Sequence, residues 1–140
     1  MNVDYDAMVR ATRRLVEGFP ELQQDVDDLV DDEEGPQVYT AMTSLARALI
    51  DDHRVGRRDR FASLFETVEM LLRNEQYDVR NLVITGLLED LSNFSMQADI
   101  ELSEWEEQLG EASLVGWRAV LDLWAGKITG TKYDSILRSG

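Results

Sequence analysis

The chain has 140 residues, no cysteine, one histidine and a formal net charge of −14 at pH 7. These counts exclude disulfides, thiolate chemistry and zinc sites that need several histidines. The charge opposes binding to DNA, RNA or anionic lipid and favours a basic partner, although solubility alone would also account for it.

A chain of this length forms one domain with one core, so we expect residues 1–140 to be a single helical domain. The first residues lack the apolar stretch of a signal peptide. The longest apolar run, at residues 82–88, is too short to span a bilayer. The sequence therefore predicts a cytoplasmic protein without a membrane partner.

Apolar residues recur at helical spacing through most of the chain, and no segment before the tail alternates with the period of a strand. Gly18 and Pro20 separate the first two helices, and Gly35-Pro36 ends the second. The predicted helices span residues 4–19, 21–34, 37–54, 59–73, 78–94, 101–109 and 112–125. Residues 127–140 form a tail that either wraps around the domain or frays. The prediction is an all-α bundle of about six helices.

Residues 78–94 are the predicted centre of the fold. Apolar side chains cover roughly two thirds of this helix, so it should be packed between other helices. A narrow polar stripe remains, formed by Asn81, Thr85, Glu89 and Ser92. Arg80 and Asp90 fall within the apolar arc, and we expect each to be satisfied by a structural partner rather than to line a pocket. Asp78 is the expected N-cap.

Two acidic runs contain no basic residue. They comprise Asp25, Asp27, Asp28, Asp31, Asp32, Glu33 and Glu34, and then Asp99, Glu101, Glu104, Glu106, Glu107 and Glu111. Clustered carboxylates repel one another, which suggests that their field is used to steer a basic protein or to imitate nucleic-acid phosphates. A solvated face without a function is the alternative. The expected partner-binding residues are Asp25, Asp27, Asp28, Asp31, Asp32, Glu33, Glu34, Glu101, Glu104 and Glu107.

Other candidate sites are weaker. Asp27-Asp28-Leu-Val-Asp31 matches the DDxxD pattern that holds magnesium in prenyl-transferring enzymes, but the chain is too short for that fold and lacks a second such site. No stretch supplies the ligands of an EF-hand loop. We therefore expect no metal and no cofactor.

The basic and aromatic residues also have competing interpretations. Four arginines, Arg54, Arg57, Arg58 and Arg60, could clamp an anion, but we expect them to pair with nearby acids. His53 should be a packed residue at a helix end, with a small enzyme that uses it beside a carboxylate as the alternative. Trp117 and Trp124 share a helical face and should seal the core, unless they form an aromatic binding platform.

Three segments carry a family resemblance. Residues 71–82 (LLRNEQYDVRNL) and 87–93 (LLEDLSN) are similar to a signature LL-x-x-G-D-x-x-V-x-N … F-L-E-x-L-x-N. Residues 109–126 are similar to the ending L-G-P-x-S … W-x-x-L-x-x-F-W-x-G. Both patterns belong to the bacterial DUF7674 family of small helical proteins. This sequence departs from them at residues 75–77, Leu87 and Glu111. The hairpin of helices 59–73 and 78–94 also resembles a HEAT repeat at residues 78–80.

The DUF7674 resemblance implies a protein like the small immunity proteins of bacterial toxin systems, including contact-dependent inhibition. We therefore expect a non-enzymatic immunity protein that neutralises a cognate basic toxin of nuclease type by direct binding. We expect a monomer or weak homodimer, with neither nucleic acid nor membrane as a partner. The alternative is a helical adaptor that binds another protein through a concave face.

Overall fold

The computed structural model describes residues 3–30 and 37–139. These residues form helices and no strand, which confirms the all-α prediction. The helices are α1 (Tyr5–Val16), α2 (Gln23–Asp27), α3 (Val38–Arg54), α4 (Phe61–Asn74), α5 (Tyr77–Asn81), a π-helical segment (Leu82–Leu88), α6 (Glu89–Gln97), α7 (Leu102–Glu106), α8 (Glu111–Trp124) and α9 (Gly130–Ser139). None of the helices described is long and apolar enough to cross a membrane.

The predicted central helix is confirmed and is longer than expected. Helix α5, the π-helical segment and α6 follow one another directly, so the central helix covers residues 77–97. It packs against α1, α3, α4, α8 and α9. Its fully buried apolar side chains are Val79, Leu82, Val83, Leu87, Leu88 and Leu91. Burial on several sides explains why so much of its circumference is apolar.

Two glycines allow neighbouring helices to approach the π-helical segment closely. A Cβ atom on Gly86 would lie 3.1 Å from the Cγ atom of Met42 in α3. A Cβ atom on Gly116 of α8 would lie 2.9 Å from the Cγ1 atom of Ile84. Since both contacts are tighter than ordinary van der Waals contact, larger residues here would push α3 or α8 away from the core.

Two details of the predicted central helix are wrong. Gln76, not Asp78, occupies the N-cap position, and the Asp78 carboxylate instead accepts a hydrogen bond from the backbone N–H of Asp4 at 2.9 Å. Asp78 therefore ties the amino-terminal segment to the central helix. Ser92 is fully buried instead of lying on the polar stripe. Its burial is tolerated because its hydroxyl donates to the carbonyl of Glu89 at 2.8 Å.

The predicted continuous helix over residues 21–34 is also wrong in its described part, residues 21–30, and its remainder lies outside the residues that the structure describes. The chain forms a 3₁₀ turn (Pro20–Leu22), the short helix α2 and a second 3₁₀ turn (Asp28–Val30). Aspartate is a poor helix former, and like charges three or four residues apart destabilise an α-helix. The pair Asp25 and Asp28 has this spacing, which accounts for the early end of α2.

The C-terminal tail contributes a packed helix, α9. Leu137 is buried and Tyr133 is 9% exposed. The Tyr133 hydroxyl lies 2.8 Å from Oγ1 of Thr85, and the Tyr77 hydroxyl donates to Oδ1 of Asp134 at 2.7 Å. Helix α9 is therefore fastened to the first half of the central helix by both apolar and polar contacts.

Arg80 is the buried cation beneath α9. Its guanidinium group donates to the carbonyl of Leu137 at 2.5 Å, to that of Ile136 at 3.3 Å and to that of Leu72. These carbonyls lie in the last turns of α9 and α4, where the helix dipole favours a cation. Burial lowers the pKa of Arg80. Arg80 has structural partners, as expected, but it also borders a cavity of about 220 Å³, which was not expected. Asp90 has a structural partner as expected, since it accepts from Oγ1 of Thr43 at 2.7 Å.

Glu69 of α4 caps the first turn of α8. Its carboxylate accepts from the backbone N–H groups of Ala112 at 3.0 Å and Ser113 at 2.8 Å, and from the Ser113 hydroxyl at 2.7 Å. Arg73 donates to the same carboxylate at 2.6 Å. Burial alone would raise the pKa of Glu69, but these hydrogen bonds outweigh it and lower the pKa to about 2.

Candidate functional site

The α2 acidic segment, which we define as Asp25, Asp27 and Asp28, is held at the surface by apolar anchors. Val26 and Leu29 are buried, whereas the three carboxylates are exposed. Gln23 donates to Asp27 at 3.1 Å and Gln24 donates to Asp28 at 2.9 Å. These amide contacts leave the negative charge in place, since no Lys or Arg of the described chain pairs with the segment.

The other acidic residues expected in this run lie outside the part of the chain that the structure describes. They are Asp31, Asp32, Glu33 and Glu34. The structure therefore places three of the seven carboxylates of the first run.

The α7 acidic segment, which we define as Glu101, Glu104 and Glu107, is anchored by Trp105. The indole N–H of this buried residue donates to Oγ of Ser95 at 2.7 Å. Glu101 and Glu107 are exposed. Glu104 is partly covered and lies 3.3 Å from Nε2 of His53, so one of the three expected contact residues also has a structural partner.

Side chains at the carboxyl end of α3 contact the α7 acidic segment and, through Arg60, the turn that precedes α2. The His53 side chain is packed, as expected. It contacts Glu104 of the α7 acidic segment, and its ring centre lies 5.4 Å from that of Trp105. Its neighbour Asp52 is buried and binds Arg60 through two hydrogen bonds of 2.8 Å. Arg60 also donates to Glu21, just before α2, at 2.7 Å.

Two of the four arginines expected to pair with acids do so, Arg57 and Arg60, whereas Arg54 and Arg58 have no ion pair among the described residues. Besides binding Asp52 and Glu21, Arg60 lies over the Phe19 ring at 4.0 Å. The hydrogen bond from Arg60 lowers the pKa of Glu21. Arg57 donates to Asp59 at 3.2 Å. Arg54 instead borders a cleft, so the loop is partly an ion-pair network and partly an open cationic edge.

Exposed apolar residues lie at the carboxyl ends of α3 and α6. Val55, two residues after His53, is 77% exposed, and Met96 at the end of α6 is 54% exposed. Apolar groups beside unpaired charge are typical of protein interfaces, in which charge guides encounter and apolar contact supplies affinity. Sequence reasoning missed these two residues, because single exposed apolar residues have no distinctive spacing.

A cleft of about 260 Å³ lies between α3 and α6, near the carboxyl ends of both helices. Its lining includes Arg47, Asp51 and Arg54 from α3, and Phe94 and Gln97 from α6. The guanidinium group of Arg47 lies 4.4 Å from the centre of the Phe94 ring. The cleft therefore offers cationic, acidic and aromatic groups together, a combination that suits a peptide side chain better than a metal ion.

The two tryptophans of α8 have different environments. Trp117 is fully buried, as predicted, but Trp124 is 64% exposed and does not seal the core. Trp124 is the last residue of α8, beyond which the chain turns through Gly126 at a φ of +73°. At the helix end it has fewer neighbours to pack against, although its spacing places it on the face of Trp117.

This difference predicts a fluorescence result. Acrylamide should quench only one of the three tryptophans efficiently, because Trp105 and Trp117 are at most 1% exposed. In a Trp124→Phe protein the readily quenched fraction should disappear, as a Stern–Volmer titration would measure. A Trp105→Phe protein is the matched control and should keep that fraction. Equal quenching in the native and Trp124→Phe proteins would contradict the exposure of Trp124.

Metal-ligand geometry is missing from the described residues. No group of three or more His, Asp or Glu side chains is arranged to hold an ion in residues 3–30 and 37–139. Asp31, the last residue of the DDxxD pattern, lies outside them.

Comparison with known proteins identifies the family. A family model described as "Domain of unknown function (DUF7674)" matches residues 12–125. The chain belongs to the DUF7674 family. Neither the curated proteins nor the solved structures contain a match.

The DUF7674 match is wider than the signature segments in the sequence. It begins within α1 at residue 12 and includes the positions of both acidic segments. It ends at residue 125, directly after α8, so α9 lies beyond the DUF7674 region. The family portion thus contains the central helix and the groove into which α9 packs, but not α9 itself.

Proposed function

We propose that this protein is a non-enzymatic immunity protein of the cytoplasm, which binds a cognate basic toxin of nuclease type and covers its active site. The observation that carries the proposal is the set of exposed carboxylates in the α2 and α7 acidic segments. Five of the six have no cationic partner among the described residues, and the sixth, Glu104, has only His53.

Unpaired carboxylates differ physically from those in ion pairs. Asp52 lies 2.8 Å from the guanidinium group of Arg60, and Glu69 lies 2.6 Å from that of Arg73, so part of the charge of each group is offset and its contribution to the distant field is reduced. The acidic segments have no such compensation, and the net charge of −14 adds to their field. Such a field accelerates encounter with a basic protein and weakens as salt is added.

The affinity of such a complex needs more than charge. Val55 and Met96 provide exposed apolar contact area at the carboxyl ends of α3 and α6. In this arrangement the acidic segments would surround a small apolar centre, and water would be excluded from the centre when the toxin binds. Non-enzymatic inhibition by coverage requires no catalytic group on this chain.

Charge neutralisation tests the proposal. The double variant Glu101→Gln with Glu107→Gln should slow association with the toxin about tenfold at low salt and leave dissociation nearly unchanged. Asp25→Asn with Asp27→Asn should have a similar effect. The partner to use is the protein encoded by the neighbouring gene, and stopped-flow mixing at several salt concentrations gives the rates.

A matched control separates local charge from net charge. Asp6→Asn with Glu66→Gln removes the same two charges from exposed positions on α1 and α4. This control should change the association rate about twofold or less. The localisation to the acidic segments is wrong if the control slows association equally. The immunity function itself is wrong if the neighbouring gene product neither co-purifies with this protein nor is inhibited by it.

The α3–α6 cleft favours a second candidate function, an adaptor that binds a partner through this concave surface. Arg47 stacked on Phe94 is a preformed contact for an acidic or aromatic side chain. If the adaptor function is correct, Arg47→Gln should weaken binding of a co-purifying protein, and the charge-neutralising variants should leave its association rate unchanged.

A further inference from the structure

We propose that a cavity beside Arg80 binds a small monocarboxylate that carries an apolar tail of about five carbon atoms. This Arg80 cavity has a volume of about 220 Å³ and lies between the central helix, α8 and α9. Helix α9 contributes Ile136 as one of the walls and stays in place when the ligand binds. The ligand is a small molecule, and its binding is independent of the proposed toxin binding.

Burial distinguishes the floor of the Arg80 cavity from its mouth. Arg80, Ile84 and Gly116 are buried and form the floor. At the mouth, the side chains of Arg73 and Glu111 are 53% and 89% exposed. A ligand therefore has a path from solvent past these two side chains to the buried guanidinium group of Arg80.

The walls of the Arg80 cavity suit an aliphatic group. Ile84, Ala112, Val115 and Ile136, which come from three different helical elements, line the cavity with apolar side chains. An apolar cavity of about 150 Å³ is enough to bind benzene, so the larger Arg80 cavity has room for a short hydrocarbon chain. Each methylene group that moves from water to these walls should strengthen binding severalfold.

Arg80 supplies the positive charge that a carboxylate requires. Its guanidinium group donates to three backbone carbonyls and forms no ion pair with an acid of the described residues. Burial is the cause of its lowered pKa. A guanidinium group has five N–H donors, so two remain for the oxygen atoms of a ligand. Since a buried cation without an anion is costly, a bound carboxylate would offset part of this cost.

The acids near the mouth favour a ligand with a single negative charge. Arg73 lies 2.6 Å from Glu69 and 3.6 Å from Glu111, so part of its charge is offset. Among the described residues that line the cavity, Arg80 is the cation without such an ion pair. A dianion such as phosphate would be repelled by Glu69 and Glu111, whereas a monocarboxylate needs only the charge of Arg80.

The α3–α6 cleft provides an internal comparison, because it is also lined by arginines. Arg47 and Arg54 in that cleft are exposed, and the exposed Asp51 lines it as well. Exposed charges remain hydrated and gain little from pairing with a small anion. A small monocarboxylate should therefore prefer the Arg80 cavity to the α3–α6 cleft.

Titration with hexanoate tests the chemical class of the ligand. Isothermal titration calorimetry on the intact protein should show saturable binding of one hexanoate per chain. Hexan-1-ol, which has the same tail without the charge, should bind about tenfold more weakly. Acetate should bind about a hundredfold more weakly because it lacks most of the tail, and inorganic phosphate should not bind. Absence of saturable hexanoate binding, or equal binding of hexanoate and hexan-1-ol, overturns the proposal.

Nuclear magnetic resonance on the intact protein locates the ligand. Hexanoate should shift the amide signals of Ile84, Val115 and Ile136, which line the Arg80 cavity. The signals of Arg47 and Phe94 in the α3–α6 cleft should stay unchanged. Shifts that are confined to the α3–α6 cleft would contradict the assignment of the site.

Filling the cavity should block binding. Ala112→Leu places a larger apolar side chain in the Arg80 cavity and should weaken hexanoate binding at least tenfold. Ala62→Leu makes the same change on the exposed surface of α4 and is the matched control, which should leave binding unchanged. Circular dichroism checks that both variants keep their helical content. Unchanged hexanoate binding by a folded Ala112→Leu protein would contradict the proposal.

Arg80→Lys separates recognition of the carboxylate from the structural role of Arg80. Lysine keeps the positive charge but lacks the planar fork of donors. Hexanoate binding should weaken about tenfold, whereas binding of hexan-1-ol should change less than twofold because the apolar walls remain. An equal loss for both compounds would show that Arg80 acts only by holding α9, and would overturn the proposal.

A peptide distinguishes a free acid from the carboxyl end of a protein. An acetylated tripeptide that ends in isoleucine presents a carboxylate beside an apolar side chain. It should bind at least tenfold more weakly than hexanoate, because its peptide groups would meet the apolar walls without hydrogen-bond partners. Tighter binding of the peptide than of hexanoate would assign the Arg80 cavity to the chain end of a protein and overturn the proposal.

Discussion

Arg80→Met should lower the free energy of unfolding by about 2–4 kcal/mol, because a buried hydrogen-bonding group left unpaired costs about 1–3 kcal/mol. The substitution removes the donor shared by the carbonyls of Leu72, Ile136 and Leu137. The protein can avoid burying these unpaired carbonyls by releasing α9 to solvent. The decrease in the free energy of unfolding is then limited to what the docking of α9 and the capping of α4 contribute. Urea unfolding followed by circular dichroism measures the free energy, and hydrogen exchange shows the release of α9.

Arg118→Met is the matched control for Arg80→Met. Arg118 is exposed on α8, so its replacement should change stability by about 0.5 kcal/mol or less. Arg80→Lys keeps a positive charge but lacks the planar fork that reaches three carbonyls, and it should restore only part of the stability. An Arg80→Met protein as stable as the Arg118→Met protein would show that α9 is held by its apolar anchors alone.

Glu69→Gln should lower stability at pH 7 by about 2–3 kcal/mol, from a pKa difference converted at 1.36 kcal/mol per unit and reduced for partial exposure. The folded-state pKa of Glu69 is about 2, below its ordinary value of 4.5. A carboxylate with a depressed pKa stabilises the fold above its unfolded pKa, and this contribution disappears as pH falls through the folded pKa. The stability gap between the native and Glu69→Gln proteins should therefore be constant above about pH 5 and close towards pH 2.

Glu66→Gln provides the control for the pH experiment. Glu66 is exposed on the same helix and has no ion pair among the described residues. Its replacement should leave stability nearly unchanged at every pH. Since other acids titrate over the same range, the informative quantity is the difference between each variant and the native protein in urea melts at each pH. A gap at Glu69 that persists unchanged at pH 2 would show that the carboxylate acts through shape and not through charge.

The long amphipathic helices could be predicted from the sequence because their apolar spacing reflects burial. The prediction for residues 37–54 agrees within a residue with α3 (Val38–Arg54), and α8 (Glu111–Trp124) agrees equally well. Prediction failed where local electrostatics outweighs spacing, as in the acidic segment around α2. It also failed at Asp78, because the helix begins at Tyr77 and its N-cap is therefore Gln76. The Asp78 carboxylate instead accepts from the backbone N–H of Asp4, a residue distant in sequence.

The candidate site was less predictable. The presence of charge at Asp25 and Glu101 is evident from composition, but where these segments lie in the fold depends on contacts such as those of Glu104 with His53 and of Glu21 with Arg60. These pairs are 51 and 39 residues apart in sequence, and no local pattern specifies them. Exposure of Val55 likewise follows from the tertiary packing.

The π-helical segment changes the helical phase of everything that follows it. Each of its turns holds one residue more between bonded groups than an α-turn does, so the side chains of α6 are rotated about the axis relative to an uninterrupted α-helix. The sequence pattern placed Ser92 on the polar stripe of an uninterrupted helix. The rotation brings Ser92 into the core and leaves Phe94 partly buried beneath Arg47. Deleting one residue within Leu82–Leu88 would turn α6 back and separate Ser95 from the Trp105 indole that it binds.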